Sequence, residues 1–319
     1  MPRGCRLIKE WVFGGTARGV YRMDDVLRRG STLSTRLGTA LALPNGARFY
    51  RCALQVNTFG YLVRHNKITA YRTEAQYNSA IIQSCHNNGI EVIAVTDHYR
   101  VHESAHLIML ARDSGIFAFG GFEAVTKDGV HFLCLFDADK DTAAIERLIG
   151  ECGVHNRHEL SPTGDKDCLE LLEAAKRWGG VCIASHVAAD GGGLLKKLSG
   201  QSRLKVWHSS DLHACALAGP IDQAPENLRA ILNNKDGVYR RERQVAVINA
   251  QDVNAPEDLT APGASCFIKM SKVSVEGLRC ARRSWRGPAG ESPAQVRGSA
   301  CLVTSVALGK ATTTTKRTQ

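Results

Sequence analysis

Between residue 47 and about residue 281 two kinds of segment alternate, and this alternation narrows the fold more than any other feature of the chain. Short runs rich in β-branched and aromatic residues are "YRCALQV" (50–56), "EVIAVTDH" (91–98), "IFAFGGFEAV" (116–125), "GVHFLCLFDA" (129–138), "VCIASH" (181–186) and "QVAVINAQD" (244–252). Such runs read as buried strands. Between them lie longer segments with helical spacing, at 73–89, 103–115, 141–151, 165–180 and 225–234. The first of these carries its own punctuation, with Thr73 as N-cap and Gly89 as stop. Strands separated by helices of this length imply βα units and a mainly parallel sheet. At least six such strands are enough to close an α/β barrel. The turn "TKDG" joins two of them directly.

On either side of this region the pattern stops. The chain divides into a basic N-terminal extension (1–46), a barrel domain (47–282) and a basic tail (283–319) rich in Gly, Pro, Ser, Thr and Arg, expected to be flexible. The net charge of +10 belongs to these ends. Residues 1–52 hold ten Lys/Arg against three acids, and residues 277–319 hold eight against one, leaving 23 basic and 27 acidic residues between them. The ends suit weak, non-specific polyanion binding or simple solvation, and do not predict sequence readout of a nucleic acid. Trp11 and Trp285 stand alone there, without the aromatic interleaving of a stacking platform. No apolar run approaches the ~20 residues of a membrane span, so no membrane partner is expected. The opening residues read as no signal peptide. Eleven cysteines without a C-x-x-C pair fit reduced thiols in a cytoplasmic protein and exclude a zinc finger.

The strand ends carry the chemistry. "VTDH" ends in Asp97 and His98, "FGGFEAV" carries Glu123 beside a Gly pair, "GVHFL" opens with His131, "CIASH" ends in His186, and "VINAQD" ends in Asp252. In α/β barrels chemistry sits at the C-terminal ends of the strands. Carboxylates and imidazoles delivered there by separate strands suit Mn²⁺, Fe²⁺ or Zn²⁺. Taken one at a time, His131 and His186 read better as ordinary core or loop histidines, and Asp97 or Asp252 as helix N-caps. It is the joint pattern that points to a metal centre.

In their order, "VTDH", "GGFE", "GVHFL", "ASH" and "QDVN" resemble the motifs of the PHP (polymerase and histidinol phosphatase) family over residues 47–281. "NGARFYRCALQVNT" and "IKMSKVSVEGLR" look most similar to the PHP domain of ATPase-associated PHP proteins. The resemblance implies a distorted (β/α)7 TIM-like barrel that binds one to three divalent ions (Mn, Zn or Fe) and hydrolyses phosphoesters. By it, Glu123 bridges two ions, and His131 and His186 complete one of those sites. Asp252 serves a second site, His98 a third, and Asp97, His98 and Asp252 position or deprotonate the nucleophile.

This sequence departs from the family pattern at three ligands. Gln55 and Asn57 stand where the family's first motif has its two histidines, and Asn254 where the last motif ends in one. Amide oxygens are weaker ligands than imidazole nitrogens. His65 is a possible substitute. Two readings follow from the resemblance. In one the protein is a phosphoesterase, impaired or not, acting on a nucleotide, a phosphorylated metabolite or a nucleic-acid end. In the other it is an inactive barrel that binds a phosphorylated ligand, nucleic acid or protein. Two further segments are weaker candidates. Gly191 and Gly192 with Lys196 and Lys197 could cradle a phosphate, and His208, Asp211 and His213 could line the rim.

Overall fold

A computed structural model describes residues 47–156 and 158–283. The expected N-terminal extension, and the expected tail beyond its first residue, lie outside the described residues. Eight strands form one barrel-shaped sheet: β1 (Arg48–Val56), β2 (Val92–Val95), β3 (Phe117–Val125), β4 (His131–Phe136), β5 (Val181–Ala184), β6 (Ala214–Leu217), β7 (Ala246–Asn249) and β8 (Cys266–Met270). Their order in the sheet is β7-β6-β5-β4-β3-β2-β1-β8. The sheet is more mixed than the alternation of segments suggests. β1, β2 and β3 run parallel, as do β5, β6 and β7. β4 is antiparallel to both of its neighbours, and β8 is antiparallel to β1. Two causes account for this. The "TKDG" turn is too short for a crossover, so β3 and β4 form a hairpin. β8 comes from "CFIKM", a five-residue run outside the alternating segments, and it pairs antiparallel with β1.

The two ends of the sheet meet at one rim. β7 and β8 are not neighbours, but Val253 forms a parallel bridge with Val56 at the end of β1. Val253 N donates to Gln55 O at 2.9 Å, and Asn57 N donates to Val253 O at 3.0 Å. The barrel therefore closes beside the residues that flank these two valines.

Side chains alternate across each strand. Leu54, Ala94, Phe119, Leu133, Ile183, Ile248 and Ile268 belong to one buried cluster inside the barrel. The opposite faces pack outward. Ile93 and Ala118 meet the helices α1 (Phe59–Arg64), α2 (Glu74–Asn87) and α3 (Ala105–Asp113). Phe132, Cys134, Cys182 and Cys215 lie in a second outer cluster with α4 (Thr142–Glu151) and α5 (Cys168–Arg177). Thr73 caps α2 by accepting from Gln76 N, and Gly89 follows the helix at φ +62°, as the sequence predicts. Further along lie α6 (Leu194–Lys197), α7 (Gly200–His208) and α8 (Glu226–Leu232). The last helix, α9 (Val275–Arg283), adds Val275 and Ala281 to the interior cluster. The nine cysteines among the described residues are free thiols. Among the described residues no helix is long and apolar enough to cross a membrane.

Gly121 lets β3 and β4 approach each other: a Cβ there would lie 2.4 Å from Cys134 O. Gly121→Ala should therefore lower stability by about 1–3 kcal/mol in urea unfolding, because backbone must move. Gly191→Ala, where an added Cβ meets nothing within 4 Å, should change it by less than about 0.5 kcal/mol.

Candidate metal centre

The inward column of each strand changes from apolar to polar towards the rim at which the barrel closes. On β3 the inward positions are Phe119, Gly121 and Glu123, and the last is a carboxylate only 2% exposed. On β4, His131 stands on the same face as Leu133 and Leu135. Because β4 is antiparallel, its first residue reaches the rim where β3 ends. The β2–β3 ladder continues past Val95 through a bridge that pairs His98 with Glu123. His186 follows β5, with φ +31°. This left-handed backbone is costly for a residue with a Cβ and is the kind of strain that collects at functional sites.

These four side chains converge. Glu123 Oε1 lies 3.1 Å from His131 Nδ1 and 3.4 Å from His186 Nε2, and those two nitrogens are 3.3 Å apart. Glu123 Oε2 lies 3.7 Å from His98 Nε2. One ligand atom each from His98, Glu123 and His131 fit within 4.8 Å of one another. A tetrahedral ion with bonds of about 2.0–2.1 Å separates its ligand atoms by about 3.4 Å, so this spacing suits a transition metal. Protonation states suit it too. Burial alone would raise the Glu123 carboxyl, but the hydrogen bond from His131 and the three surrounding imidazoles hold it at about 2. Burial pushes His98 below the usual histidine range, against the pull of Glu123. His98 Nδ1 is buried without a hydrogen-bond partner among the described residues.

The other half of the rim is built from amides. A register shift in β1 between Ala53 and Val56 interrupts strict alternation. Cys52 and Leu54 face the interior and Ala53 the outer helices, yet Gln55 joins the inward set. Such irregularities re-aim side chains. Gln55 Nε2 donates to Glu123 Oε2 at 3.2 Å and to Asp252 Oδ1 at 3.0 Å. Asn57 Nδ2 donates to Asp252 Oδ1 at 3.2 Å and to Asn254 Oδ1 at 2.9 Å. The sequence suggests that amide oxygens replace the missing imidazoles; instead amide nitrogens face the carboxylates. Burial, then the nearby Glu123 charge, raises the Asp252 carboxyl above its ordinary value.

The remaining candidates take other places. Asp97 turns towards α1: its oxygens accept from Thr58 N at 2.9 Å and Thr58 Oγ1 at 2.5 Å, with Arg64 Nη2 at 3.3 Å. Burial raises it to about 6, against those two hydrogen bonds and the Arg64 charge. His65 stacks on Tyr61, 3.9 Å between centroids, and its ring lies 6.4 Å from that of His98, one row outside the cluster. The Gly-rich turn supports imidazoles. A Cβ on Gly192 would fall 2.4 Å from the His131 ring, and Gly192 O accepts from His131 N. The N–H groups of Gly193, Leu195, Lys196 and Lys197 are bonded within that segment, and Lys196 pairs with Asp190 at 3.5 Å. His208 ends α7, Asp211 pairs with Lys176 at 3.0 Å, and His213 precedes β6. That places His213 at the N-terminal ends of the parallel strands, opposite the metal cluster. The role of Gly192 had a signal in the sequence, the Gly run that starts five residues after His186, but nothing in it named His131 as the neighbour.

Metal content tests the grouping. His131→Ala and His98→Ala should each weaken Zn²⁺ or Mn²⁺ binding by more than the ~10–100-fold typical of outer-shell changes. His208→Ala should leave it unchanged. Equal losses in all three proteins, read by elemental analysis after dialysis, would place the ion elsewhere.

The sequence matches no family model. No curated protein matches it. Solved structures do share its fold. One is endonuclease Q in complex with a 27-mer duplex carrying an abasic lesion, with TM-score 0.52 and 12% identity over 75% of this chain and 58% of that one. Another is the lesion-specific endonuclease PfuEndoQ from Pyrococcus furiosus, with TM-score 0.53 and 12% identity over 75% of this chain and 57% of that one. The chain thus spans less than two thirds of the length of either. A weaker likeness, with TM-score 0.48 and 15% identity over 75% of this chain and 64% of that one, is to a two-domain protein from Bacteroides vulgatus containing a predicted PHP-like metal-dependent phosphoesterase. The described part of the chain thus shares its fold with the two endonucleases, at 12% identity to each.

Proposed function

We propose that the protein is a metal-dependent phosphoester hydrolase working with a divalent ion held by Glu123, His131, His186 and His98. The observation that carries this reading is their convergence on one buried, ionised carboxylate at the C-terminal rim of the barrel. Mn²⁺, Zn²⁺ or Fe²⁺ bound there would supply a water of lowered pKa and positive charge for phosphate oxygens.

The chain's own groups do the rest. Asp252 lies across Gln55 from Glu123, and its raised affinity for a proton suits it to accept one from the nucleophile. Asp97 acts by positioning: it fixes the first turn of α1 and, beyond it, Arg64. Lys67, 5.3 Å from the Tyr61 ring centroid, adds a cation on the same side as Arg64 and His65. A cleft of about 170 Å³ is lined by Tyr99, Arg100, His102, Glu103, Glu146 and Pro162, residues of which the first follows His98 in the sequence. The endonucleases that share the fold act on lesioned DNA, which supports a nucleic-acid phosphodiester as substrate beside a phosphorylated metabolite.

A second reading, a barrel that holds a phosphorylated ligand without turnover, rests on the amides at 55, 57 and 254. Phosphodiester and phosphomonoester substrates assayed with Mn²⁺ separate the two. The hydrolase reading expects turnover that EDTA abolishes and that His131→Ala lowers by ~100-fold or more. Binding of phosphate esters without turnover, in protein that carries its ion, establishes the second reading.

A further inference from the structure

The two amides that replace imidazoles do more than leave a site short of ligands. Glu123 Oε2 and Asp252 Oδ1 both lie within 3.2 Å of one atom, Gln55 Nε2. Two carboxylates this near a common point, Glu123 buried and Asp252 half-buried, repel each other unless something positive stands between them. A side-chain amide nitrogen has two N–H groups, and Gln55 gives one to each carboxylate. Asn57 repeats the pattern, giving one to Asp252 and one to Asn254 Oδ1. All four N–H groups of the two amides are used.

The opposite amide orientation fails on charge. It would turn Gln55 Oε1 towards both carboxylates, oxygen against oxygen. In the orientation present, Oε1 is instead buried without a hydrogen-bond partner among the described residues, a desolvation cost that the two charge-assisted bonds must exceed. An amide nitrogen offers no lone pair to a metal, so this half of the rim cannot take a cation while the amides point as they do. The register of closure holds them there. The Val56–Val253 bridge sets Gln55 and Asn57 against Asp252 and Asn254, one pair on each side of a valine.

We infer that Gln55 and Asn57 form an amide clamp that stands in for a second cation, so that the protein has a one-ion centre whose carboxylate pair is assembled without metal. The inference rests on the reading of the His98, Glu123, His131 and His186 cluster as an ion site, but its test needs no turnover. Zn²⁺ alone and Mn²⁺ alone are the probes, and bound ion per chain is measured by native mass spectrometry after desalting. The wild-type protein should retain one equivalent. Gln55→Glu, which exchanges the two donors for a third carboxylate, should double this to two and should lose more of its thermal midpoint in EDTA than the wild type does. Two equivalents in the wild type, or one in a folded Gln55→Glu protein, overturns the clamp. Should Gln55→Glu fail to fold, the wild type decides alone. Its Gln55 side-chain N–H resonances should be protected from exchange in EDTA and remain so when Zn²⁺ fills the cluster. Loss of that protection on adding Zn²⁺ would mean that the amide turns to bind an ion, against the inference. A protein that passes these tests yet hydrolyses nothing leaves the clamp standing and removes only the hydrolase reading.

Discussion

A carboxylate sealed inside a barrel has to be compensated, and the rim of this protein is arranged around that need. Glu123 is buried on the inward face of β3, where desolvation alone would protonate it. It stays ionised because each oxygen has its own set of partners. Oε1 faces His131 and His186; Oε2 faces His98 and the Gln55 amide. These partners come from β1, β4 and the residues after β2 and β5, so the compensation holds only while those strands keep their register. A slip of one residue in any of them would turn an imidazole or an amide to the outer helices.

Several backbone features serve this arrangement. Gly121 permits the close β3–β4 approach, and Gly192 leaves room for the His131 ring. His186 accepts a left-handed backbone. The irregularity in β1 turns Gln55 inward. Each of these lowers local stability in isolation. They persist together because the surrounding core is extensive: Leu54, Ala94, Leu133 and Ile183 fill the interior below the rim, and Phe122, Phe132 and Phe136 pack outside it.

How much of this the sequence carried depended on the range of the interaction. Period-two alternation and the strand-ending residues are local, so β1 to β5, β7, α2 and the inward residues Glu123, His131 and His186 could be read from them. The reversal of β4 followed from a turn length but did not change the expected sheet. β8 was hidden, because a short strand with Lys269 on it is defined by its partner β1 and not by its own composition. The site was legible as a set of residue types and less so as a set of directions. Asp97 and His98 are neighbours in the sequence, yet one turns to Thr58 and the other to Glu123. That division depends on where the bridge to Glu123 falls and on Tyr99, which has φ +44°. Neither is visible in "VTDH".

The amides at positions 55 and 57 illustrate what a polar group in a buried site must satisfy. An imidazole can offer a lone pair, so a carboxylate pair beside it still needs a cation. An amide brings the donors itself, and its partial positive charge sits about where the cation would. The Gln55 amide joins Glu123 and Asp252 through hydrogen bonds that fold with the chain. The imidazoles of His131 and His186 stand on the other oxygen of Glu123. A carboxylate gripped on one oxygen by an amide and open on the other to imidazoles is polarised between two different partners. That asymmetry, more than the number of histidines, separates this centre from one built to share a carboxylate between two like ions.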